Sequence, residues 1–119
     1  MYTFDINTTK KLFYVTTEGM FDTAKAEAYI RDFSANLKKI NPSEYVFLID
    51  SRKQITSNPE VGEVLSNALK LYMDTPFKKR YIVKLGSVIA MSQVKRLGGS
   101  QFSQKIDLVD TPEEIINSL

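Results

Sequence analysis

The chain has no cysteine and no histidine. Without cysteine there are no disulfides, no thiolate nucleophiles and no thiolate metal sites. Without histidine the commonest general base and the commonest zinc ligand are missing too. No run of apolar residues approaches the ~18 needed to cross a membrane. The start, "MYTFDINTTKK", lacks the apolar core of ~7–15 residues that marks a signal peptide, so the expected address is the cytoplasm, of a bacterium by default. Charge of one sign is scarce as well. The net charge is +2, and the densest cluster is Lys78-Lys79-Arg80. A nucleic-acid footprint would be a larger stripe of one sign, so that partner is disfavoured. No cofactor and no metal are expected.

What is present has ordinary globular proportions, 43% hydrophobic and 25% charged over 119 residues. That length suits one domain over 1–119, with enough core to fold without a staple. Tyr2, Phe4 and Ile6 alternate with Thr3 and Asp5, the period of a half-buried strand. With "LFYVTTEG" at 12–19, they predict a hairpin across 2–17. Gly19 is placed to end the second strand. Residues 22–39 read as a helix, with Ala26, Ile30, Phe33, Leu37 and Ile40 on one face and Asp22 as N-cap. Lys38 and Lys39 fall in its last turn, opposing the helix dipole.

"YVFLI" at 45–49 is continuously apolar, as a strand covered on both faces would be. Asp50-Ser51-Arg52-Lys53 is its expected polar exit. A helix is predicted over 59–73, with Asn58 as N-cap and Pro59 at its first position. A strand at 80–85 and a short helix at 88–97 follow, the helix closed by Gly98-Gly99. "SQFSQK" reads as a polar connection to a short strand at 106–109. "DTPEEIINSL" reads as a last helix, with Thr111 and Glu114 at capping-box spacing. The predicted order is β-β-α-β-α-β-α-β-α, an α/β domain with a mixed sheet.

Several stretches could carry chemistry. Asp50 and Ser51 stand at the carboxyl end of a central strand, where ligands of open α/β sheets bind. Arg52 and Lys53 would draw an acidic partner or an anion. A phosphate on Ser57 would sit at a helix N-terminus, favoured by free amides and the dipole. Gly86-Ser87 could hold an anion but lacks the pattern of a phosphate loop. Glu60 with Glu63 is an available carboxylate pair, better explained as a solvated helix face. A Ser51–Lys53 dyad would point one way in a strand, with nothing to suggest an oxyanion hole. No catalytic role is assigned.

The element order resembles the STAS superfamily, the SpoIIAA-like anti-sigma-factor-antagonist domains, over nearly the whole chain. "TTEGMFDTAKAEAY" is similar to that family's strand–glycine–helix entry. "YVFLIDSRKQITSNPEVGEVL" is similar to its central strand, loop and second helix, and "VDTPEEIINSL" to its last strand and helix. Switchable members carry Asp-Ser-Ser-Gly before the second helix. Here Thr56-Ser57-Asn58-Pro59 stands there, and only Ser57 matches. The resemblance implies a regulatory or protein-interaction module, not an enzyme. It would present the loop and helix start at 50–62 to a protein partner, through Asp50, Ser51, Arg52, Lys53, Asn58 and Glu60, with Ser57 the candidate phosphorylation site. The alternative expectation is a carrier of an apolar small molecule or lipid, with a pocket between helices and sheet.

Overall fold

The computed structural model describes residues 1–56 and 59–119, and only the backbone at 56, 59 and 60. Five strands form one mixed sheet in the order β1-β2-β3-β4-β5: β1 (Tyr2–Asn7), β2 (Leu12–Phe21), β3 (Val46–Thr56), β4 (Lys79–Val83) and β5 (Asp107–Val109). β1 and β2 are antiparallel, and each later neighbour is parallel. Helices α1 (Thr23–Leu37), α2 (Pro59–Asp74), α3 (Val88–Gly98), α4 (Phe102–Lys105) and α5 (Glu113–Ile116) join or follow the strands. The α/β class and the mixed sheet expected from the sequence are those observed.

The hairpin is closed by Asn7, whose side-chain oxygen accepts from the amides of Thr9 (3.1 Å) and Lys10 (2.9 Å). Lys11 then turns with φ 55°, a left-handed angle uncommon outside glycine. Asp22 caps α1 as expected, accepting from the Lys25 amide at 2.8 Å. Crossovers of one hand, between strands laid down in chain order, place their helices on one face of the sheet. That face holds the main core. Phe13, Val15, Phe47, Ile49 and Ile82 from the strands meet Tyr29 and Phe33 of α1 and Ala68, Leu69 and Tyr72 of α2. The aromatics interlock: Phe47 lies 4.7 Å from Tyr72 and 4.9 Å from Phe77, ring centre to ring centre. On the opposite face Leu12, Val46, Leu48 and Val83 pack under Ile115 of α5. Tyr45 and residues 46–49 are accordingly buried along their length.

Several boundaries differ from the sequence expectation. β3 does not end at Ile49; it runs to Thr56, so Asp50-Ser51-Arg52-Lys53 is strand and not a loop. The reason is β2, which also runs past its expected end. Gly19 takes φ 79° but does not stop the strand, and Glu18–Phe21 supply parallel partners to Lys53–Thr56. The register shifts between Thr16 and Glu18, where two residues of β3, Ser51 and Arg52, stand against Thr17 alone. Lys38 is the C-cap residue of α1, and no basic residue lies in the helix's last turn. "SQFSQK" contains α4, held by Phe102, which is buried against the main core. The last helix is only Glu113–Ile116, with Pro112 before it and no side-chain cap, so the Thr111–Glu114 capping box does not form. Gly99 does take a left-handed angle, φ 75°, at the end of α3.

Candidate functional site

The carboxyl halves of β2, β3 and β4 run beneath α2 and α3, and the space between is not filled. A cavity of about 630 Å³ lies there. Its buried wall is apolar: Phe21 and Ile49 from the strands, Ala68 and Leu69 from α2, and Ile82 from β4. Leu85, Ala90, Val94 and Leu97 close the α3 side. The two helices are pinned by Ser66, whose hydroxyl donates to the Leu97 carbonyl at 3.2 Å. Gly62 and the exposed Glu63, Gln93 and Arg96 form the rim.

Among the described residues two polar groupings interrupt the apolar wall. At one, the Thr17 hydroxyl lies 2.7 Å from the Ser51 hydroxyl and 2.7 Å from the Gln54 side-chain oxygen. Thr17 is itself buried. The bulge assembles this group, because it lets Ser51 and Gln54 reach the same neighbour across the strands. At the other, the hydroxyls of Tyr29 and Tyr72 meet at 2.5 Å, both residues buried. Burial raises the pKa of each, and at Tyr29 the hydroxyl of Tyr72 adds to the rise. Both phenols therefore stay neutral at ordinary pH. The arrangement suits binding an apolar molecule with a few fixed hydrogen bonds.

The residues picked from the sequence are not brought together. Ser51 lines the large cavity, while Asp50, Arg52 and Lys53 line a smaller recess of about 230 Å³ with Thr3, Thr16 and Glu18. The side chains of Thr3 and Thr16 are hydrogen-bonded to each other there. Arg52 is paired within its own strand. Its Nε and Nη2 donate to the two carboxylate oxygens of Asp50 at 3.0 and 2.8 Å, and its backbone amide to Oδ1 at 3.1 Å. Burial pushes the Asp50 carboxyl up, but these bonds and the charges of Arg52 and Lys53 outweigh it and hold it low. Of the two cations expected here, Arg52 is thus engaged by Asp50. The Ser51–Lys53 dyad fails for the same reason: the bulge breaks the period of two that would have pointed both side chains one way.

Gly86-Ser87 serves α3, the Ser87 hydroxyl accepting from the Ala90 amide at 3.2 Å. Glu60 is the second residue of α2, and its side chain lies outside the described atoms, so the Glu60–Glu63 pair is not described. Ser57 and Asn58, the candidate phosphorylation site and expected N-cap, lie outside the described residues. Among the described residues no three Asp or Glu side chains gather as a metal site, and no helix is long and apolar enough to cross a membrane.

Thr17, Tyr29, Gln54 and Tyr72 were not singled out from the sequence as site residues. A signal existed for the tyrosines. A tyrosine on the core face of a helix must bring its hydroxyl to a partner, and two such helices against one sheet could satisfy each other. Compared with known proteins, the chain matches no family model and no curated protein.

Proposed function

We propose that this chain is a non-enzymatic binding domain that holds an apolar small molecule or lipid between α2, α3 and the sheet. The observation that carries this reading is the cavity itself. It measures about 630 Å³, within the ~300–1,000 Å³ of ordinary ligand sites, and has their composition of apolar wall and sparse polar points. It also lies over the carboxyl ends of parallel strands, where open α/β sheets bind ligands. Native mass spectrometry of freshly purified protein tests the reading: a retained apolar ligand, lost on organic extraction, is the expected result. Failure both to retain a ligand and to take up phenylnaphthylamine, an apolar fluorescent probe, would sink it.

A second reading keeps the STAS-like interaction module, supported by the order of the elements and by one surface feature. Met20 and Ile55 are partners across β2 and β3, next to Lys53, and are 54% and 56% exposed. An acidic protein with an apolar contact would fit there. Ile55→Asp with Lys53→Glu should then release a partner captured by the unaltered protein, while phenylnaphthylamine uptake stays unchanged.

A further inference from the structure

The Tyr29–Tyr72 pair holds one proton more than it can use. Each hydroxyl has a single proton and accepts through its oxygen. At 2.5 Å one hydroxyl donates to the other. The proton of the accepting hydroxyl has no further acceptor among the described residues. Both residues line the cavity, and they are 3% and 4% exposed. A buried donor left unmade is costly, and the cavity is the space open to it.

We propose that the occupant of this cavity is an uncharged, largely apolar molecule with one hydrogen-bond acceptor oxygen, such as a ketone or ester, seated on the surplus proton of the Tyr29–Tyr72 pair. This rests on the cavity being a binding site and adds the ligand's chemical class. Among the described residues no ionic group stands in the buried wall, which supports the uncharged part. Among the described residues the charged side chains of the lining are Glu63 and Arg96, which are exposed, opposite in sign and at the rim. A carboxylate carried to the tyrosines would lose its water without gaining a cation, which is far costlier than burying a carbonyl. Raised phenol pKa values keep both hydroxyls protonated, so the pair remains a donor.

Three naphthalene compounds of similar shape test the proposal by displacement of phenylnaphthylamine: acetylnaphthalene, ethylnaphthalene and naphthoate. In the unaltered protein the ketone should bind and naphthoate should bind at least about tenfold more weakly. Tyr29→Phe or Tyr72→Phe alone leaves one hydroxyl with one proton and no acceptor among the described residues, so ketone binding should persist. The double variant removes the donor, and the ketone should weaken about fivefold relative to ethylnaphthalene, the size of one ordinary hydrogen bond. Equal changes for ketone and hydrocarbon would overturn the proposal while leaving the cavity reading intact. Tightest binding by naphthoate would overturn the uncharged class. Displacement by none of the three, with phenylnaphthylamine itself taken up, would overturn the proposal and leave the cavity reading intact. Should the double variant not fold, the carbonyl carbon NMR shift of acetylnaphthalene bound to the unaltered protein decides. It should lie downfield of its position in hexane, and coincidence with hexane would overturn the proposal.

Discussion

Tyr29 of α1 and Tyr72 of α2 stand 43 residues apart in the chain, yet their hydroxyl oxygens lie 2.5 Å from each other under the sheet's helical layer. The bond ties the two largest helices at the floor of the cavity. It also makes the fold sensitive to alkali. The folded pKa of each phenol is raised by burial above its ordinary value of 10.0. Above pH 10 the unfolded chain therefore gives up protons that the folded protein keeps. The unfolded state then binds fewer protons, and stability falls as pH rises. Linkage sets the slope at roughly a tenfold loss in the folding equilibrium per pH unit for each tyrosine. Urea titrations between pH 9 and 11 should show the midpoint falling, and the Tyr29→Phe/Tyr72→Phe protein should show a flatter profile. An equal slope in both would mean that the phenols are not buried.

Gly62 offers a way to close the cavity without breaking the fold. Among the described residues a Cβ built there meets nothing within 4 Å, and Gly62 lines the rim from inside α2. Glycine in a helix interior is ~1 kcal/mol less favourable than a good helix former. Gly62→Leu should therefore melt at or above the temperature of the unaltered protein. Its side chain would occupy the rim, and phenylnaphthylamine uptake should fall by about tenfold or more. Unchanged uptake in a stable Gly62→Leu protein would place the bound probe elsewhere.

Gly98 has the opposite surroundings. A Cβ there would lie 2.5 Å from Cδ2 of Phe102 and 3.1 Å from its Cβ and Cγ. Phe102 is buried, so the ring has little room to move. Gly98→Ala should cost about 1–3 kcal/mol by overpacking, read as a lower urea midpoint. Phe102→Ala in the same background removes the 2.5 Å ring contact, so the two losses should not add. Additive losses would show that the two sites do not touch.

Much of the architecture was readable from pattern alone. The alternation from Tyr2 to Ile6 and the solid apolar run from Tyr45 to Ile49 each mark a strand without tertiary information. Asp22 announces α1 by a local hydrogen bond. The missed parts depend on neighbours. Asp50 to Lys53 are polar enough to read as an exit, and are strand because β3 runs on to Thr56 against the backbone partners that Glu18–Phe21 offer. Phe102 turns a polar connection into α4 by docking on the core. The site was legible only in part. Ser51 was named for its place at a strand end and does line the cavity. Thr17 and Gln54 join it through a bulge whose position no local motif reveals. A pair such as Tyr29 and Tyr72 becomes a feature only when two helices meet.

The Asp50–Arg52 pair gives a last test, one that separates the small recess from the large cavity. Burial pushes the Asp50 carboxyl up; the Arg52 side chain and amide, with charge from Arg52 and Lys53, pull it below its ordinary value of 3.8. A carboxyl lowered on folding adds stability above its unfolded pKa, and loses it as pH falls through the folded value. In the unaltered protein this contribution should therefore decline below about pH 4. Arg52→Gln removes the guanidinium and leaves burial with less opposition. The Asp50 carboxyl should then rise, toward or past its ordinary value, in a carboxyl-carbon NMR titration. If it passes that value, the sign of its linkage reverses, and mild acid relieves rather than weakens the fold at this position. Phenylnaphthylamine uptake should not change, because neither Asp50 nor Arg52 lines the large cavity. An unmoved Asp50 titration would show that Arg52 does not hold the carboxylate in solution, and would free its cation for the partner surface at residues 50–55.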